Sequence, residues 1–271
     1  MLLHEPSRPN QKLGSVPAAI GSGQTLMASM AKRWKKATKR VTMAWRHRVI
    51  ADSPQWLRNV AGTPATWADM LLIDHGIIRV VYLNKHALSH DAWRSAQPAP
   101  HHIKAAAKAG IKTIVNLRGA RVCGSYWLEK AACSRYGLQL VNCQVRSRAA
   151  PSKEELREAR AMFDRVEYPI LLHCKSGSDR AGLMSVLYKH LKLGMPIAEA
   201  KRELSLRYGH IRQSDTGILD VFFERFLADT ANRPMDFYQW VENVYDPTEL
   251  KTSYIANGWA NRLVNGILRR E

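Results

Sequence analysis

The sequence predicts an α/β fold, with a mostly parallel central sheet flanked by helices and with helical extensions at both ends of the chain. The first observation is that short apolar runs alternate with segments of helical periodicity between residues 92 and 193. Such alternation indicates crossover connections, which join parallel strands and cover both faces of a sheet. The second observation is that residues 27–50 and most of the chain after Met184 carry helical spacing.

The elements are expected in a regular order. Strands are predicted at residues 92–95, 112–117, 138–145 and 170–174. Between them, one helix spans Pro100 to Gly110, with proline in its first turn, and another covers 126–136 and stops at Gly137. A capping box at 152–155 starts a third helix that runs to about Val166. Helices are predicted after the last strand at 180–191, 197–208, 216–229, 235–244 and 247–268.

The composition divides the chain into four parts. We expect a disordered N-terminus at 1–26, a basic amphipathic helical extension at 27–66, the α/β domain at 67–212 and a helical C-terminal extension at 213–271. The 271 residues contain 41 Lys and Arg against 23 Asp and Glu, which gives a net charge of +18. So basic a chain is expected to meet an anionic membrane or phosphorylated substrates, and nucleic acid is not expected as a partner.

Residues 27–50 carry eight Lys or Arg and no acid. Their apolar residues recur at steps of three and four, so they share one face of a helix; they are Met27, Met30, Trp34, Ala37, Val41 and Trp45. A basic helix with tryptophan on its apolar side is typical of a helix that lies in a membrane interface. The alternative is a helix that packs on the α/β domain and leaves its basic face in solvent. The sequence leaves both interpretations open.

Several absences predict the compartment. The four cysteines have uneven spacing and form neither a disulfide framework nor a metal pattern. The N-terminus lacks a secretory signal, and no run of 18 apolar residues occurs; the apolar stretch from Leu71 to Leu83 is interrupted by Asp74, His75 and Arg79. We therefore expect a cytoplasmic protein, which the basic helix would hold at the inner face of the membrane if it binds lipid.

The stretch that follows the last predicted strand carries the chemistry. Apolar residues 170–172 lead into His173-Cys174, a polar loop with a glycine follows, and Arg180 opens a helix. The backbone N–H groups of such a loop can form a nest for an anion at the start of a helix. The helix dipole and Arg180 would favour the thiolate of Cys174, which is a nucleophile. The planar fork of Arg180 suits two oxygens of a tetrahedral oxyanion.

The other cysteines lack this arrangement. Six residues after Cys123, Cys133 and Cys143 stand glutamate, glutamine and alanine, whereas six residues after Cys174 stands Arg180. The alternative interpretation of Cys174 is a buried structural cysteine at the end of a strand, with Arg180 as a surface residue.

His-Cys-x5-Arg after a strand resembles the phosphate-binding loop of the cysteine-dependent protein tyrosine and dual-specificity phosphatases. Two upstream segments, 93–98 and 114–119, resemble bacterial members of that superfamily, and the similarity covers roughly residues 76–210. The resemblance implies a dual-specificity phosphatase-like fold, a phosphocysteine on Cys174, a phosphoryl group held by Arg180 and an Asp that protonates the leaving oxygen. It also implies that neither a metal nor another cofactor takes part.

The general acid is the main departure from the family pattern. Residues 144–151, where many relatives carry the Asp, contain no acid. Some bacterial and lipid-directed members have Asp immediately before the Arg, so the resemblance points to Asp179. The alternative is that Asp179 pairs with a neighbouring base or caps the helix and stays ionised. Ala181 is a second departure, because many relatives carry Ser or Thr there to steady the leaving thiolate.

The remaining candidate residues bind substrate. Within the loop they are His173, Lys175, Ser176, Gly177 and Ser178, and on the expected rim they are Arg118, Arg146 and Arg148. His173 is expected to orient the loop, and the basic residues suit a substrate with more than one negative charge. Phosphotyrosine protein and anionic lipid phosphate both fit. A catalytically weak, membrane-tethered adaptor is the alternative function, and sulfur transfer is a third, although its loops are usually shorter.

Overall fold

The computed structural model describes residues 62–74 and 76–255. The chain divides into two compact units, 1–45 and 46–271, and all described residues lie in the second. The predicted disorder at 1–26, the predicted helix at 27–50 and the predicted helix beyond residue 255 lie outside the described residues. All three remain predictions.

A five-stranded sheet forms the centre of the described region. Its strands are β1 (His86–Ala87), β2 (Ala92–Ser95), β3 (Thr113–Asn116), β4 (Gln139–Asn142) and β5 (Ile170–His173), in the spatial order β1-β2-β5-β3-β4. Only β1 runs antiparallel to its neighbour, and the other pairings are parallel. The predicted fold class is therefore confirmed. The sequence analysis did not include β1, which is only two residues long.

The helices cover both faces of this sheet. They are α1 (Gly62–Ala68), a π-helical turn (Asp69–Ile73), α2 (Ile77–Val81), α3 (Pro100–Lys108), α4 (Gly124–Tyr136), α5 (Lys153–Arg165), α6 (Asp179–Leu193), α7 (Ile197–Ala200), α8 (Ile218–Thr230) and α9 (Phe237–Asn243), with a further helix over 247–255. Among the described residues, no helix combines the length and hydrophobicity that crossing a membrane requires.

The predicted continuous helix at 197–208 is wrong. After α7 the chain forms two short 3₁₀ turns, at Lys201–Glu203 and Leu206–Tyr208, because Ser205 between them has extended backbone angles. The backbone carbonyl of Glu203 accepts a hydrogen bond from the buried Arg94 side chain instead of serving a helix. A tertiary contact has thus replaced the local preference for helix.

Two apolar layers lie on opposite faces of β5. Ile170 and Leu172 pack into a large core with α5, α6, α8 and α9, whereas Leu171 points into a smaller core with α3 and α4. This alternation is the period of two that a strand imposes. The C-terminal helices share the large core, since Phe222 and Trp240 pack there with their rings tilted and their centroids 5.7 Å apart.

Strand direction determines where a site can form. The carboxyl ends of β2, β3 and β5 meet at the same edge of the sheet because these strands are parallel. In open α/β sheets, ligands bind in the crevice beyond that edge. The segment that joins β5 to α6 leaves the sheet there, next to the loops that follow β3 and β4.

Candidate active site

The segment between β5 and α6 folds into a loop whose carbonyl oxygens are all held by the scaffold. Each of the carbonyl oxygens from His173 to Ser178 accepts a hydrogen bond of 2.8–3.3 Å. The donors, in order, are the Leu117 amide, the His173 ring, the Gln97 amide, the Asn84 side chain and, for the last two carbonyls, the Arg94 guanidinium. Because a trans peptide places its N–H opposite its C=O, this arrangement turns the loop's N–H groups inward and builds an anion nest.

Gly177 is required at the centre of this loop. Its φ is +79°, and a Cβ there would lie 2.7 Å from the Ala96 nitrogen and 2.8 Å from the Ser95 carbonyl carbon. No other residue combines that backbone angle with so close an approach to the end of β2. The Gly177 amide donates to the Cys174 sulfur at 3.2 Å.

Arg94 supports the loop from below. Its side chain is fully buried, donates to the Gly177 and Ser178 carbonyls at 2.8 and 2.9 Å, and pairs with Glu203 at 2.8 Å. The guanidinium also lies 4.1 Å from the centroid of the Tyr208 ring. Burial lowers the pKa of Arg94 and Glu203 opposes that shift, so the guanidinium stays charged.

His173 and Glu129 form a buried pair behind the nucleophile. The His173 Nε2 contacts a Glu129 carboxylate oxygen, and Nδ1 donates to the Cys174 carbonyl at 3.2 Å. The second Glu129 oxygen accepts from the Gln97 side chain at 2.7 Å. The His173 ring is thereby fixed on both sides, in the position from which it can orient the loop.

Cys174 lies at the bottom of the loop, 2% exposed. Arg180, the second residue of α6, is partly buried; burial lowers its pKa, and the nearby Cys174 sulfur opposes the shift. Two of the remaining thiols are poor nucleophiles, because burial raises the pKa of both Cys133 and Cys143 to about 12.

A cleft of about 690 Å³ opens above the loop, and its walls are strongly basic. The cations that line it are Arg79, Arg121, Arg146, Arg148, Lys175 and Arg180. Asp179 is the one carboxylate among the described residues of the lining. Arg146 is held by Glu155 through two hydrogen bonds of 3.0 and 3.1 Å, and Arg148 is exposed. The structure therefore places both predicted rim arginines at the cleft.

Arg118 lies in a different position from the rim that the sequence predicted. It is 4% exposed and is not part of the cleft lining. Its guanidinium donates to both carboxylate oxygens of Asp74, at 2.8 and 3.0 Å, and also contacts the Gln97 side-chain oxygen. The rim assignment is wrong for this residue, because a buried bidentate pair occupies its fork.

Asp74 joins several of these basic groups. Besides Arg118, it accepts from Arg79 at 2.9 Å and from Ser125 at 2.7 Å, and it lies 3.3 Å from the Lys175 ammonium. Burial alone would raise the pKa of Asp74, but the hydrogen bond from Arg118 and the neighbouring positive charges hold it well below its usual range. A fixed carboxylate therefore anchors the cationic wall next to the loop.

Asp179 stands at the first position of α6 with its side chain 25% exposed on the cleft wall. One of its oxygens lies 2.8 Å from the Nδ1 of His210. Burial would raise the pKa of Asp179, but hydrogen bonds with His210 and Thr216 lower it. The resting carboxyl is thus ionised and paired with a base.

Several site residues escaped the sequence analysis. Arg94 and Gln97 lie inside the segment 93–98, whose resemblance to bacterial phosphatases predicts no role for either residue. Asp74 and Arg79 interrupt an apolar stretch of the sequence. A charge in such a stretch is itself a signal of a buried partner. His210 had no local signal, because its carboxylate partners lie 31 and 10 residues away.

Comparison with known proteins identifies the family. Residues 81–217, half of the chain, match the model of a family described as DSP-PTPase phosphatase fused to NAD+ kinase. The matched segment contains all five strands of the described sheet, the loop, α6 and α7. A search of curated proteins found no match.

Solved structures to which the chain is similar include TpbA, Tk-PTP and PTPMT1. TpbA from P. aeruginosa is 17% identical, with 63% of this chain and 90% of TpbA covered and a TM-score of 0.45. Tk-PTP in its active form is 20% identical, with 52% and 97% covered and a TM-score of 0.39. PTPMT1 is 14% identical, with 55% and 99% covered and a TM-score of 0.40.

Proposed function

Since the chain belongs to the family of DSP-PTPase phosphatases fused to NAD+ kinase, we propose that it hydrolyses phosphomonoesters through a phosphocysteine intermediate on Cys174. The observation that carries the proposal is the row of loop carbonyls tied to the scaffold from His173 to Ser178. It leaves the loop's N–H groups, the Cys174 sulfur and the α6 N-terminus converging on one point. That convergence suits a tetrahedral dianion.

The reaction proceeds in two displacements. The Cys174 thiolate attacks phosphorus while Arg180 and the loop N–H groups bind the transferred oxygens. The bond from phosphorus to the leaving oxygen breaks, and that oxygen takes a proton through Asp179, whose carboxyl is ionised at rest and receives the proton from a neighbouring group. Water then attacks the phosphocysteine and gives a proton to Asp179, and the sulfur leaves with its electron pair. The hydroxyl that many relatives carry after the arginine is missing at Ala181, so Ser176 or Ser178 in the loop would steady the leaving sulfur.

The cleft favours an anionic lipid phosphate over a phosphotyrosine protein as the substrate class. Its six cations suit a substrate with charge beyond one phosphoryl group. Exposed apolar side chains stand beside them on and after α2: Ile77 is 63% exposed, Ile78 70%, Val81 88% and Tyr82 61%. We name these four residues the apolar crest. An apolar patch next to clustered basic residues fits an anionic bilayer surface, where the basic residues 27–50 would add attraction.

The test is turnover of para-nitrophenyl phosphate in the presence of a metal chelator. We expect the unmodified protein and a Cys143→Ala control to be active, and Cys174→Ser to be inactive while it still binds tungstate. Acid-quenched enzyme should carry one phosphoryl group on the peptide that contains Cys174, as shown by mass spectrometry. Full activity of Cys174→Ser would contradict the mechanism. Tungstate binding without any turnover by the unmodified protein would favour the adaptor.

The substrate class needs a second measurement. The initial rate on an anionic lipid phosphate in vesicles should exceed the initial rate on a phosphotyrosine peptide. Replacing Val81, which is 88% exposed and does not line the cleft, by serine should reduce the rate on vesicles and leave the rate on the soluble peptide unchanged. A preference for the peptide in the unmodified protein would assign the phosphotyrosine class instead.

A further inference from the structure

His210 is a buried histidine held between two carboxylates. Its Nδ1 lies 2.8 Å from Asp179 and its Nε2 lies 2.7 Å from Asp220. The side chain of His210 is 1% exposed, against 25% for Asp179 and 14% for Asp220. The three groups come from different elements: α6 provides Asp179, α8 provides Asp220, and His210 lies in the segment between α7 and α8.

The row of three groups connects two cavities. Asp179 lines the cleft above the phosphate loop, whereas His210 and Asp220 line a separate cavity of about 680 Å³. The other charged side chains of that second cavity are Lys189, Lys201, Arg202, Glu203, Arg207, Arg212 and Glu224. Lys189 is paired with Glu203, and both Lys201 and Arg212 lie against Glu224, so the five cations exceed the two carboxylates and the second cavity is basic. One end of the row thus faces the reaction and the other faces a second opening.

The His210 imidazole is protonated on both ring nitrogens, and therefore positively charged, at neutral pH. Burial would lower the pKa of His210, but hydrogen bonds and charge from Asp179 and Asp220 raise it to about 9. Both ring nitrogens therefore donate, one to each carboxylate. Asp179 itself is ionised at rest, which leaves a difficulty for any mechanism in which it protonates the leaving oxygen.

We propose that His210 stores the proton that Asp179 delivers, so that Asp179, His210 and Asp220 act as a proton relay for the proposed phosphatase reaction. His210 does not touch substrate and is a positioning residue that acts through Asp179. The inference rests on the proposed function, but its experiment separates the two.

The relay regains during the second displacement the proton that it gives up during the first. As the bond to the leaving oxygen breaks, that oxygen takes a proton from Asp179, which takes one from the His210 Nδ1. His210 is then neutral and keeps its Nε2 proton toward Asp220. In the second displacement, water loses a proton to Asp179, which returns it to the His210 Nδ1. The phosphocysteine bond breaks at the same time, and the relay ends in its starting state.

His210→Asn tests the relay against a purely structural role. The asparagine amide can still donate to Asp179, but it holds no transferable proton. We expect the rate on a phosphotyrosine peptide to fall by about 10²- to 10⁴-fold, the usual contribution of acid–base catalysis. The rate on 2,4-dinitrophenyl phosphate should change little, because its leaving group needs no proton. Asp179→Asn should give the same pattern, and His190→Asn, a matched change at the far end of α6, should affect neither substrate.

Asp220→Asn provides an independent readout that does not depend on the folding of the His210 variant. Removing one carboxylate should lower the pKa of His210, so the alkaline limb of the rate–pH profile for the phosphotyrosine peptide should move from near pH 9 to lower pH. The acid limb and the rate on 2,4-dinitrophenyl phosphate should stay unchanged. An unmoved alkaline limb, or equal slowing of both substrates by His210→Asn, would overturn the relay. If the unmodified protein hydrolyses neither substrate in the absence of metal, the proposed phosphatase function is wrong.

Discussion

Two parts of the cleft differ in how their charged and polar groups are held. The floor consists of the loop 173–178 with its supports Asn84, Arg94 and Gln97. Its carbonyls accept hydrogen bonds from those supports, from the Leu117 amide after β3 or from the His173 ring within the loop. The rim consists of Arg121, Arg146 and Arg148, all of them exposed. Arg94 in the floor is fully buried, while the Arg146 side chain in the rim is 54% exposed.

This difference separates geometry from charge. A buried charge that loses its partner is strongly destabilising, whereas an exposed ion pair contributes little. The floor therefore fixes the positions of the loop groups that would bind the phosphoryl group, and each of its residues is needed for that geometry. The rim sets an electrostatic field to which each arginine adds a small, salt-screened share. Substitutions in the floor should act as all-or-none changes, and substitutions in the rim should be graded and additive.

The largest expected effect is a loss of stability when Arg94, which supports the loop from below, is replaced. Arg94→Met leaves Glu203 buried with one partner fewer, frees the Gly177 carbonyl and leaves the Ser178 carbonyl with the Gly182 amide as its donor. Breaking a buried pair in this way costs about 3–5 kcal/mol of the free energy of unfolding. Denaturant unfolding of the variant measures it, with the exposed Arg135→Met as the control. A loss below about 1 kcal/mol, the range of surface pairs, would show that the floor is no more demanding than the rim.

The next effect is on catalysis rather than folding. Arg180→Lys keeps the charge but loses the planar fork, so two oxygens of the phosphoryl group are no longer held together. We expect kcat to fall by about 100- to 1000-fold, as when an oxyanion contact is removed. The midpoint of thermal unfolding should stay near that of the unmodified protein. A drop of less than about tenfold, outside that range, would mean that Arg180 supplies charge alone.

The smallest effect belongs to the rim. Replacing Arg146 and Arg148 by glutamine should raise KM by about two- to fivefold, in line with the small value of exposed charges. kcat should be unaffected, and the difference from the unmodified protein should disappear at high salt because the field is screened. Steady-state rates at two ionic strengths measure this, and Arg135→Gln serves as the control. A salt-independent loss of kcat would place these arginines among the groups that need fixed geometry.

The same division explains what the sequence could predict. Cys174 and Arg180 stand six residues apart between an apolar strand and a helix, so their pattern is local and was found. The supports of the loop come from distant positions: Arg94 and Glu203 are 109 residues apart, and Asp74 and Arg118 are 44 apart. Helical and strand periodicities in the sequence do not reveal contacts between residues so far apart. Arg118 was placed on the rim because it follows a strand, and only the position of Asp74 shows that its fork is occupied.

The fixed floor has a consequence for product release. Because the scaffold determines the shape of the loop, the loop offers the same N–H groups to free inorganic phosphate as to a phosphoryl group on substrate. The product should therefore be a competitive inhibitor whose affinity depends on the floor and on Arg180. Only the leaving half of the substrate can contact the rim and the apolar crest. Those outer contacts would decide how well the substrate competes with its own product when phosphate accumulates.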